Sequence, residues 1–231
     1  MYRKIELVLL LILLIGLVFA NQKLQEYVSS EKVEVKENTV IIDPGHGGSD
    51  PGKVGINGAL EKDVNLSVAK KVKKKLEKKG YEVIMTREKD EMQSEENSNN
   101  QKVQDMKARV DLINETVPAV TVSIHQNSYT SEEVHGAQVF YYSHSKEGEK
   151  AALLMQEALL AVEPENTRQA KANDTYYLLK RTKVPTIIVE CGFLSNAEEA
   201  DQLISEEYQE KLAAAIVSGI EEYLSSKTIG K

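Results

Sequence analysis

Apolar residues along the chain fall into two patterns, short continuous runs and longer stretches with a helical repeat. The short runs are rich in β-branched residues and predict buried strands at 39–42, 81–85, 120–124, 138–142, 177–179 and 186–190. The longer stretches repeat every three to four positions and predict helices at 62–79, 103–114, 146–161, 198–204 and 206–224. Strands that alternate with helices are typical of an α/β domain, and 231 residues suit one domain of ordinary size.

The first segment of the chain, 1–20, departs from this pattern. Arg3 and Lys4 open it, and the rest is almost wholly apolar. Such a segment is short for a membrane-spanning helix but typical of a signal peptide that is cleaved after a small residue. An uncleaved membrane anchor is the alternative, and both interpretations predict export, with membrane contact only through this segment. The polar and charged residues 21–38 predict a linker, so the folded domain is expected over 39–226.

Three motifs far apart in the sequence each place a polar side chain at or just after the end of a predicted strand. His46 lies in Asp-Pro-Gly-His-Gly-Gly, His125 in Ser-Ile-His-Gln-Asn, and Glu190 in Val-Glu-Cys-Gly-Phe-Leu-Ser-Asn. The carboxyl ends of strands in an α/β sheet converge on one edge, where ligands bind. Two imidazoles and one carboxylate form a three-ligand zinc site with an open fourth position, and a further carboxylate nearby can shuttle protons.

Glu61 is a second carboxylate that fits this arrangement. It opens the predicted helix 62–79, and a glutamate in a first turn is stabilised by the helix dipole whatever else it does. Its position after His46, across the glycine-rich loop 47–58, also makes it a candidate ligand. A tight turn with an incidental histidine is the alternative interpretation of His46. Glu190 ends an apolar run, where a carboxylate is costly to bury unless it is paired, hydrogen-bonded or beside a cation.

In combination, these motifs resemble the zinc-dependent N-acetylmuramoyl-L-alanine amidases of the Amidase 3 family. The resemblance covers roughly 39–224 and includes three further features: Thr86-Arg87-x-x-Asp90 after the second strand, the helix with Arg109 and Asn114, and Gly136 before the strand at 138–142. It implies a single α/β domain with a twisted, mostly parallel sheet flanked by helices, which agrees with the order of the predicted elements.

The resemblance also implies a role for each motif residue. Three side chains would hold one Zn²⁺ per chain: His46, Glu61 and His125. Glu190 would act as general base and then as general acid, and Arg109 and Asn127 would lie just outside the three ligands. A surface or structural ion pair is the alternative interpretation of Arg109. The implied reaction is hydrolysis of the amide that joins the lactyl group of N-acetylmuramic acid to L-alanine of the peptidoglycan stem peptide.

A narrower resemblance is to the sporulation subgroup of this family. The sequence contains one catalytic domain without wall-binding repeats, and it reads Val-His-Gly at 134–136 and Tyr-Leu-Leu-Lys at 177–180, before Val-Pro at 184–185. This implies removal of stem peptides during spore-cortex maturation, as a step towards muramic-δ-lactam. It also implies an extracytoplasmic location, in the cell envelope or the forespore intermembrane space, and a partner lipoprotein like that of some members.

Two other functions fit the same residues. An exported zinc peptidase would use the same metal chemistry on another bond of the wall peptide. A non-catalytic envelope-binding module would keep the fold without hydrolysis, and the intact set of four candidate residues argues against it.

Charge and cysteine content narrow the range of partners and reactions. Lys+Arg 29 against Asp+Glu 36 gives a net charge of -7, which argues against nucleic acid as a partner. The lysines of the first predicted helix form a solvated face or, alternatively, bind a wall polymer or membrane surface. The polar stretch 91–102 predicts a loop. Cys191 is the only cysteine, and on a strand it points away from Glu190, which favours a small packed hydrophobe over a nucleophile.

Overall fold

The computed structural model describes residues 35–93 and 100–228, together with Leu14 and Gly16. Apart from those two positions, the predicted signal peptide or anchor and most of the predicted linker lie outside the described residues. The central part of the predicted loop 91–102 also lies outside them. Among the residues described, no helix is long and apolar enough to cross a membrane.

A six-stranded sheet with helices on both faces forms the described domain. Its strands are β1 (Lys36–Pro44), β2 (Glu82–Met85), β3 (Pro118–Asn127), β4 (Gln138–Tyr141), β5 (Lys171–Ala172) and β6 (Thr186–Phe193). Its helices are α1 (Glu61–Lys78), α2 (Gln101–Thr116), α3 (Lys146–Leu159), α4 (Tyr177–Arg181), α5 (Ala197–Ile204) and α6 (Glu206–Thr228). Across the sheet, the strands lie in the order β2-β1-β3-β6-β4-β5.

Most neighbouring strands of the sheet are parallel. β2, β1, β3 and β6 pair in parallel, as do β4 and β5, whereas β4 runs antiparallel to β6. The prediction of a single α/β domain with a mostly parallel sheet between helices is confirmed. β1 begins at Lys36, earlier than predicted, so the last residues of the predicted linker belong to the sheet.

The run 177–179, predicted as a strand, lies instead in the short helix α4. The side-chain oxygen of Asn173 accepts hydrogen bonds from the backbone N–H groups of Thr175 at 2.8 Å and Tyr176 at 2.9 Å, and these bonds turn the chain just before the helix. The parallel neighbour of β4 comes earlier in the sequence, at Lys171–Ala172 (β5). The prediction was wrong because so short an apolar run has no periodicity that separates a strand from one buried helical turn.

The two faces of the sheet are packed differently. One face, called here the covered face, lies under α1, α3, α5 and α6. The apolar side chains of these helices form one large buried cluster with alternate strand residues such as Val40, Ile42 and Val122. The other face, called the open face, packs against α2 and α4 among the described elements and carries a smaller cluster that includes Ile41 and Val110.

Alternation along the strands decides which polar residues reach the open face. Because successive side chains of a strand point to opposite faces, Asp43, His125 and Glu190 share the open face with Ile188. The parallel register places His125 beside Glu190 on neighbouring strands. Cys191 points to the covered face and is fully buried in its cluster, as the sequence predicted.

Candidate metal centre

Three potential metal ligands meet at the carboxyl edge of the sheet. His46 lies just beyond β1, Glu61 is the first residue of α1, and His125 lies near the end of β3. Glu61 Oε1 lies 3.2 Å from His46 Nε2 and 3.0 Å from His125 Nδ1. The potential donor atoms of the three residues all lie within 4.8 Å of one another, so the group could hold one metal ion.

The backbone around His46 makes room for this arrangement. His46 itself has a φ of 61°, a left-handed conformation that costs a residue other than glycine about 1–3 kcal/mol. A Cβ atom at Gly45 would lie 2.1 Å from the ring of His125, and one at Gly52 would lie 2.5 Å from Glu61 Oε2. Any larger residue at either glycine would therefore displace a candidate ligand.

Hydrogen bonds from outside the group orient the three side chains. Asp50 Oδ2 lies 2.8 Å from His46 Nδ1, so the other ring nitrogen faces Glu61. Glu61 Oε2 accepts the backbone N–H of Lys53 at 2.8 Å, and Oε1 accepts that of Gln126 at 3.2 Å. Partners of this kind fix ligand orientation in metal sites. The sequence analysis missed Asp50, although a carboxylate four residues after a candidate histidine was an available signal.

The ionised state of the Glu61 carboxylate favours a bound cation. Burial alone would raise the pKa of Glu61, but hydrogen bonds with His125 and His46 hold that pKa well below its ordinary value. Burial would lower the pKa of His46, but Glu61 and Asp50 raise it above its ordinary value, so metal binding would release a proton from this ring. The site therefore presents an ionised carboxylate between two imidazoles. Because this is the ligand set of many catalytic zinc sites, the donor chemistry fits Zn²⁺.

Glu190 shares a pocket with the two histidines. The residue is only 8% exposed, and its Oε2 atom has no hydrogen-bond partner among the described residues. Burial raises the pKa of Glu190 above its ordinary value, against the opposing effect of His125. An unpartnered buried carboxylate oxygen is costly, and such an atom is expected where solvent or a bound ligand supplies the missing contact.

The pocket lies on the open face, between α2 and α4, and has a volume of about 250 Å³. Besides the titratable groups, its lining includes apolar and aromatic side chains: Met106, Tyr176, Tyr177, Leu178 and Ile188. Tyr176 packs edge-on against Phe140, with 5.6 Å between the ring centroids. A concave site with a few convergent polar groups and an apolar lining is the usual form of a small-molecule or substrate pocket.

Comparison with known proteins identifies the family of the chain. The sequence matches the Amidase_3 family model, described as N-acetylmuramoyl-L-alanine amidase, over residues 40–222. The chain belongs to this family. The resemblance drawn from the motifs is thus confirmed, and with it the class of enzyme.

Individual relatives show which members of the family this amidase is similar to. The germination-specific N-acetylmuramoyl-L-alanine amidase of Bacillus subtilis (strain 168) is 41% identical over 191 residues, which cover 81% of this chain and 80% of the relative. The structure of the CwlD amidase from Clostridioides difficile in complex with the GerS lipoprotein matches with a TM-score of 0.79 and 38% identity, over 82% of this chain and 99% of that one. An N-acetylmuramoyl-L-alanine amidase from Clostridium difficile 630 matches with a TM-score of 0.73 and 34% identity, over 82% and 97% of the two chains.

Arg109 of the amidase lies beneath the loop that carries His46 and is 1% exposed. Its guanidinium donates hydrogen bonds to the backbone oxygens of Pro44 and His46, both at 2.8 Å. It also forms ion pairs with Asp43 and Asp105, both at 2.7 Å. Arg109 therefore supports the backbone of a candidate ligand from within a buried network and is not a surface ion pair.

Asp43 is the centre of that network, and the sequence analysis missed it. It accepts hydrogen bonds from Ser123 Oγ at 2.6 Å and Thr86 Oγ1 at 2.5 Å, in addition to Arg109. Burial alone would raise the pKa of Asp43, but Arg109 and the two hydroxyls lower it to about 2. The available signal was a carboxylate at the end of an apolar strand, the same signal that pointed to Glu190.

Asn127 is the last residue of β3, two positions after His125. Its side-chain oxygen accepts the N–H of Ser128 at 2.8 Å, and its backbone oxygen accepts the N–H of Leu194 at 2.8 Å. The bond from Leu194 connects the ends of β3 and β6, and neither bond links Asn127 to the three candidate ligands.

Proposed function

We propose that this amidase is a zinc hydrolase in which His46, Glu61 and His125 hold the metal and Glu190 transfers protons. The proposed reaction is hydrolysis of the amide bond between N-acetylmuramic acid and L-alanine of the peptidoglycan stem peptide. The observation that carries the proposal is the group of three donors within 4.8 Å of one another, beside a buried glutamate with an unpartnered oxygen in the same pocket. The names of the relatives support the choice of bond.

The protein side chains have defined tasks in this reaction. Zinc bound at this site would supply a Lewis acid that polarises the scissile carbonyl and activates water near neutral pH. Glu190 Oε2 has no partner within the described protein, so it can accept the proton of the attacking water. A raised pKa helps Glu190 to hold that proton until the amide nitrogen departs, and Glu190 then donates it to the leaving amine. Such a step typically contributes ~10²–10⁴-fold to the rate.

The proposed cellular role is maturation of the spore cortex outside the cytoplasmic membrane. Segment 1–20 would serve as signal peptide or anchor. The catalytic domain, predicted over 39–226, would also include the start of β1 at Lys36 and the end of α6 at Thr228. One relative is called germination-specific, and the CwlD structure contains a lipoprotein partner; both support a sporulation role with a partner of that kind. The net charge of -7 also gives the amidase no long-range attraction to an anionic wall, so a partner or an anchor would have to confine it there.

The test uses the full-length chain on purified cortex and on vegetative sacculi, with and without added zinc. Mass spectrometry of the soluble products should show whole stem peptides with a free L-alanine amine, in larger amount when zinc is present. His125→Ala should lose both zinc and product. An arm with added envelope extract should release more peptide if a partner is required.

Other products would contradict the proposal in distinct ways. Fragments cut within the stem peptide would support an exported peptidase. Bound zinc without any product, even with envelope extract, would support a non-catalytic module. Full zinc occupancy of His125→Ala, measured by elemental analysis, would remove His125 from the ligand set.

A further inference from the structure

The turn that follows β2 contains the motif Thr86-Arg87-x-x-Asp90, and no step of the proposed reaction uses it. This turn lies against two segments that each carry a candidate metal ligand. One is the loop 45–48, which includes His46, and the other is the first turn of α1, which includes Glu61. The turn therefore touches the supports of two ligands at once.

Arg87 connects these segments through its guanidinium and is only 2% exposed. Its Nε atom donates to the backbone oxygen of Pro44 at 3.0 Å. Its Nη2 atom donates to Gly45 O at 3.0 Å and to Lys62 O at 2.8 Å, and its Nη1 atom donates to Lys89 O at 3.0 Å. One planar group thus joins the end of β1, the start of α1 and its own turn.

Asp90 makes the same connection from the solvent side. Its Oδ1 atom accepts the N–H of Gly48 at 2.7 Å, and its Oδ2 atom accepts a hydrogen bond from Lys62 Nζ at 2.6 Å. Lys62 Nζ also donates to the backbone oxygen of Gly48 at 2.9 Å. Asp90 and Lys62, which have opposite charges, therefore both bind the backbone of Gly48 in the loop of His46. Lys62 directly follows Glu61, so these contacts connect the loop to the start of α1.

The two buried arginines of the amidase differ in how their charge is compensated. Arg109 faces two carboxylates, Asp43 and Asp105. Arg87 has no ion pair among the described residues, and its hydrogen-bond acceptors are backbone oxygens. A buried cation without a paired carboxylate is costly to keep, and an apolar side chain would fill the space at lower cost. The fork geometry of the guanidinium, which reaches several acceptors at once, is the property that only arginine supplies.

We propose that Arg87 and Asp90 are positioning residues for the metal centre. They fix the separation between His46 and Glu61, and so the spacing of two of the three donor atoms. Arg87 acts through the backbone oxygens of Gly45 and Lys62, the sequence neighbours of the two ligands. Asp90 acts through the backbone N–H of Gly48 and the ammonium group of Lys62. The inference rests on the proposed ligand set and assigns a task to a motif outside it.

The test is the zinc affinity of the full-length chain, measured by competition with a chelator, together with its thermal stability. Arg87→Lys keeps the positive charge but loses the planar guanidinium that reaches several acceptors. Its zinc affinity should therefore fall by ~10-fold or more, which is the effect expected when a group that orients metal ligands is lost. Asp90→Ala removes the exposed tie and should weaken zinc binding by a smaller factor. The absorption spectrum of the Co²⁺-loaded protein should change in both variants, because it reports ligand geometry.

A matched control separates positioning from general stability. Leu159→Ala removes a buried side chain from the covered face, so it should lower the melting temperature and leave the zinc affinity and the Co²⁺ spectrum unchanged.

If Arg87→Lys binds zinc as the unchanged chain does, with an altered melting temperature only, Arg87 is structural and the proposal fails. If Arg87→Lys does not fold, Asp90→Ala decides, and unchanged zinc binding there overturns the proposal. Absence of zinc binding by the unchanged chain would overturn both this proposal and the proposed metal site.

Discussion

The covered face of the sheet contains most of the apolar core, whereas the open face contains the candidate catalytic groups. The covered face is closed by four helices whose side chains form one large apolar cluster. The open face has smaller clusters and, between α2 and α4, the pocket with Glu190 and the two histidines. Its buried groups include the charged residues Asp43, Asp105 and Arg109.

This difference explains how the site keeps features that are costly by themselves. The left-handed backbone of His46 and the unpartnered oxygen of Glu190 each lower the stability of the folded chain. The apolar burial in the large cluster of the covered face can offset these costs, because burying apolar surface is the main favourable contribution to folding. Substitutions on the open face should therefore affect mainly activity, and substitutions on the covered face mainly stability.

The largest expected effect is that of Glu190→Gln on the open face. The amide cannot accept the proton of the attacking water, so the rate should fall by at least ~10²-fold. Zinc content and melting temperature should stay close to those of the unchanged chain, because the side chain keeps its shape and loses a charge that is costly to bury. The measurements are product release by mass spectrometry and zinc by elemental analysis. Near-normal turnover would assign the proton transfer to another group.

The converse prediction concerns the covered face. Leu212 in α6 is 1% exposed and belongs to the large cluster, so Leu212→Ala should lower the free energy of unfolding by about 2–5 kcal/mol. The rate per folded molecule and the zinc affinity should not change. Urea unfolding and product release at a temperature where the variant is folded provide the comparison. A loss of rate without a loss of stability would show that the two faces are not separable in this way.

Two glutamates, Glu199 in α5 and Glu163, are an exception to the apolar character of the covered face. Glu199 accepts the backbone N–H groups of Gly136 at 2.8 Å and Phe193 at 2.7 Å. The charge and a side-chain hydrogen bond of Glu163 act on Glu199. Glu163 also accepts a hydrogen bond from the hydroxyl group of Tyr208 at 2.8 Å. Burial raises the pKa of Glu199 to about 7, and the charge of Glu163 adds to this, against the lowering effect of the two N–H groups.

These two glutamates predict a dependence of stability on pH. The pKa of Glu199 rises from 4.5 to about 7 on folding, so its contribution to stability is complete below about pH 4.5 and is lost as the pH rises through about 7. Glu163→Gln removes the neighbouring charge and should lower the pKa of Glu199. The variant should therefore lose less stability than the unchanged chain between about pH 5 and about pH 8, by on the order of 1 kcal/mol.

Urea unfolding at the two pH values measures this effect. Glu157→Gln is the control, because it removes the same charge from an exposed position of α3. The same loss of stability with pH in Glu163→Gln and the unchanged chain would show that Glu163 does not affect the ionisation of Glu199.

Sequence reasoning identified the parts of the site that follow from strand alternation. His46, His125 and Glu190 follow β-branched runs, and parallel strands bring their carboxyl ends to one edge, so their meeting was predictable. The helix α4 was missed because its apolar run is too short to show a helical or a strand period. The ties of Arg87 to Pro44, Gly45 and Lys62 join segments distant in sequence, and no local pattern encodes such pairings.

The role of the lysines of the first helix could not be predicted from the sequence either. The sequence left open whether they form a solvated face or bind a wall polymer or membrane surface. In the structure, two lysines of α1 and Lys79, which directly follows α1, form ion pairs with glutamates of α6: Lys71–Glu206 at 2.9 Å, Lys75–Glu210 at 2.6 Å and Lys79–Glu221 at 2.9 Å. They therefore form a row of ion pairs along the outer side of the covered face.

The smallest expected effect comes from this row. A double-mutant cycle with Lys79→Met and Glu221→Gln should give a coupling of about 0–1 kcal/mol, the usual value for exposed pairs, and the coupling should decrease as salt is added. Lys78→Met, a loss of the same charge at an exposed neighbour, is the control and should show no coupling to Glu221. If Lys79→Met instead leaves stability unchanged and reduces retention on purified sacculi, the row binds the wall polymer. The covered face would then take part in function as well as in stability.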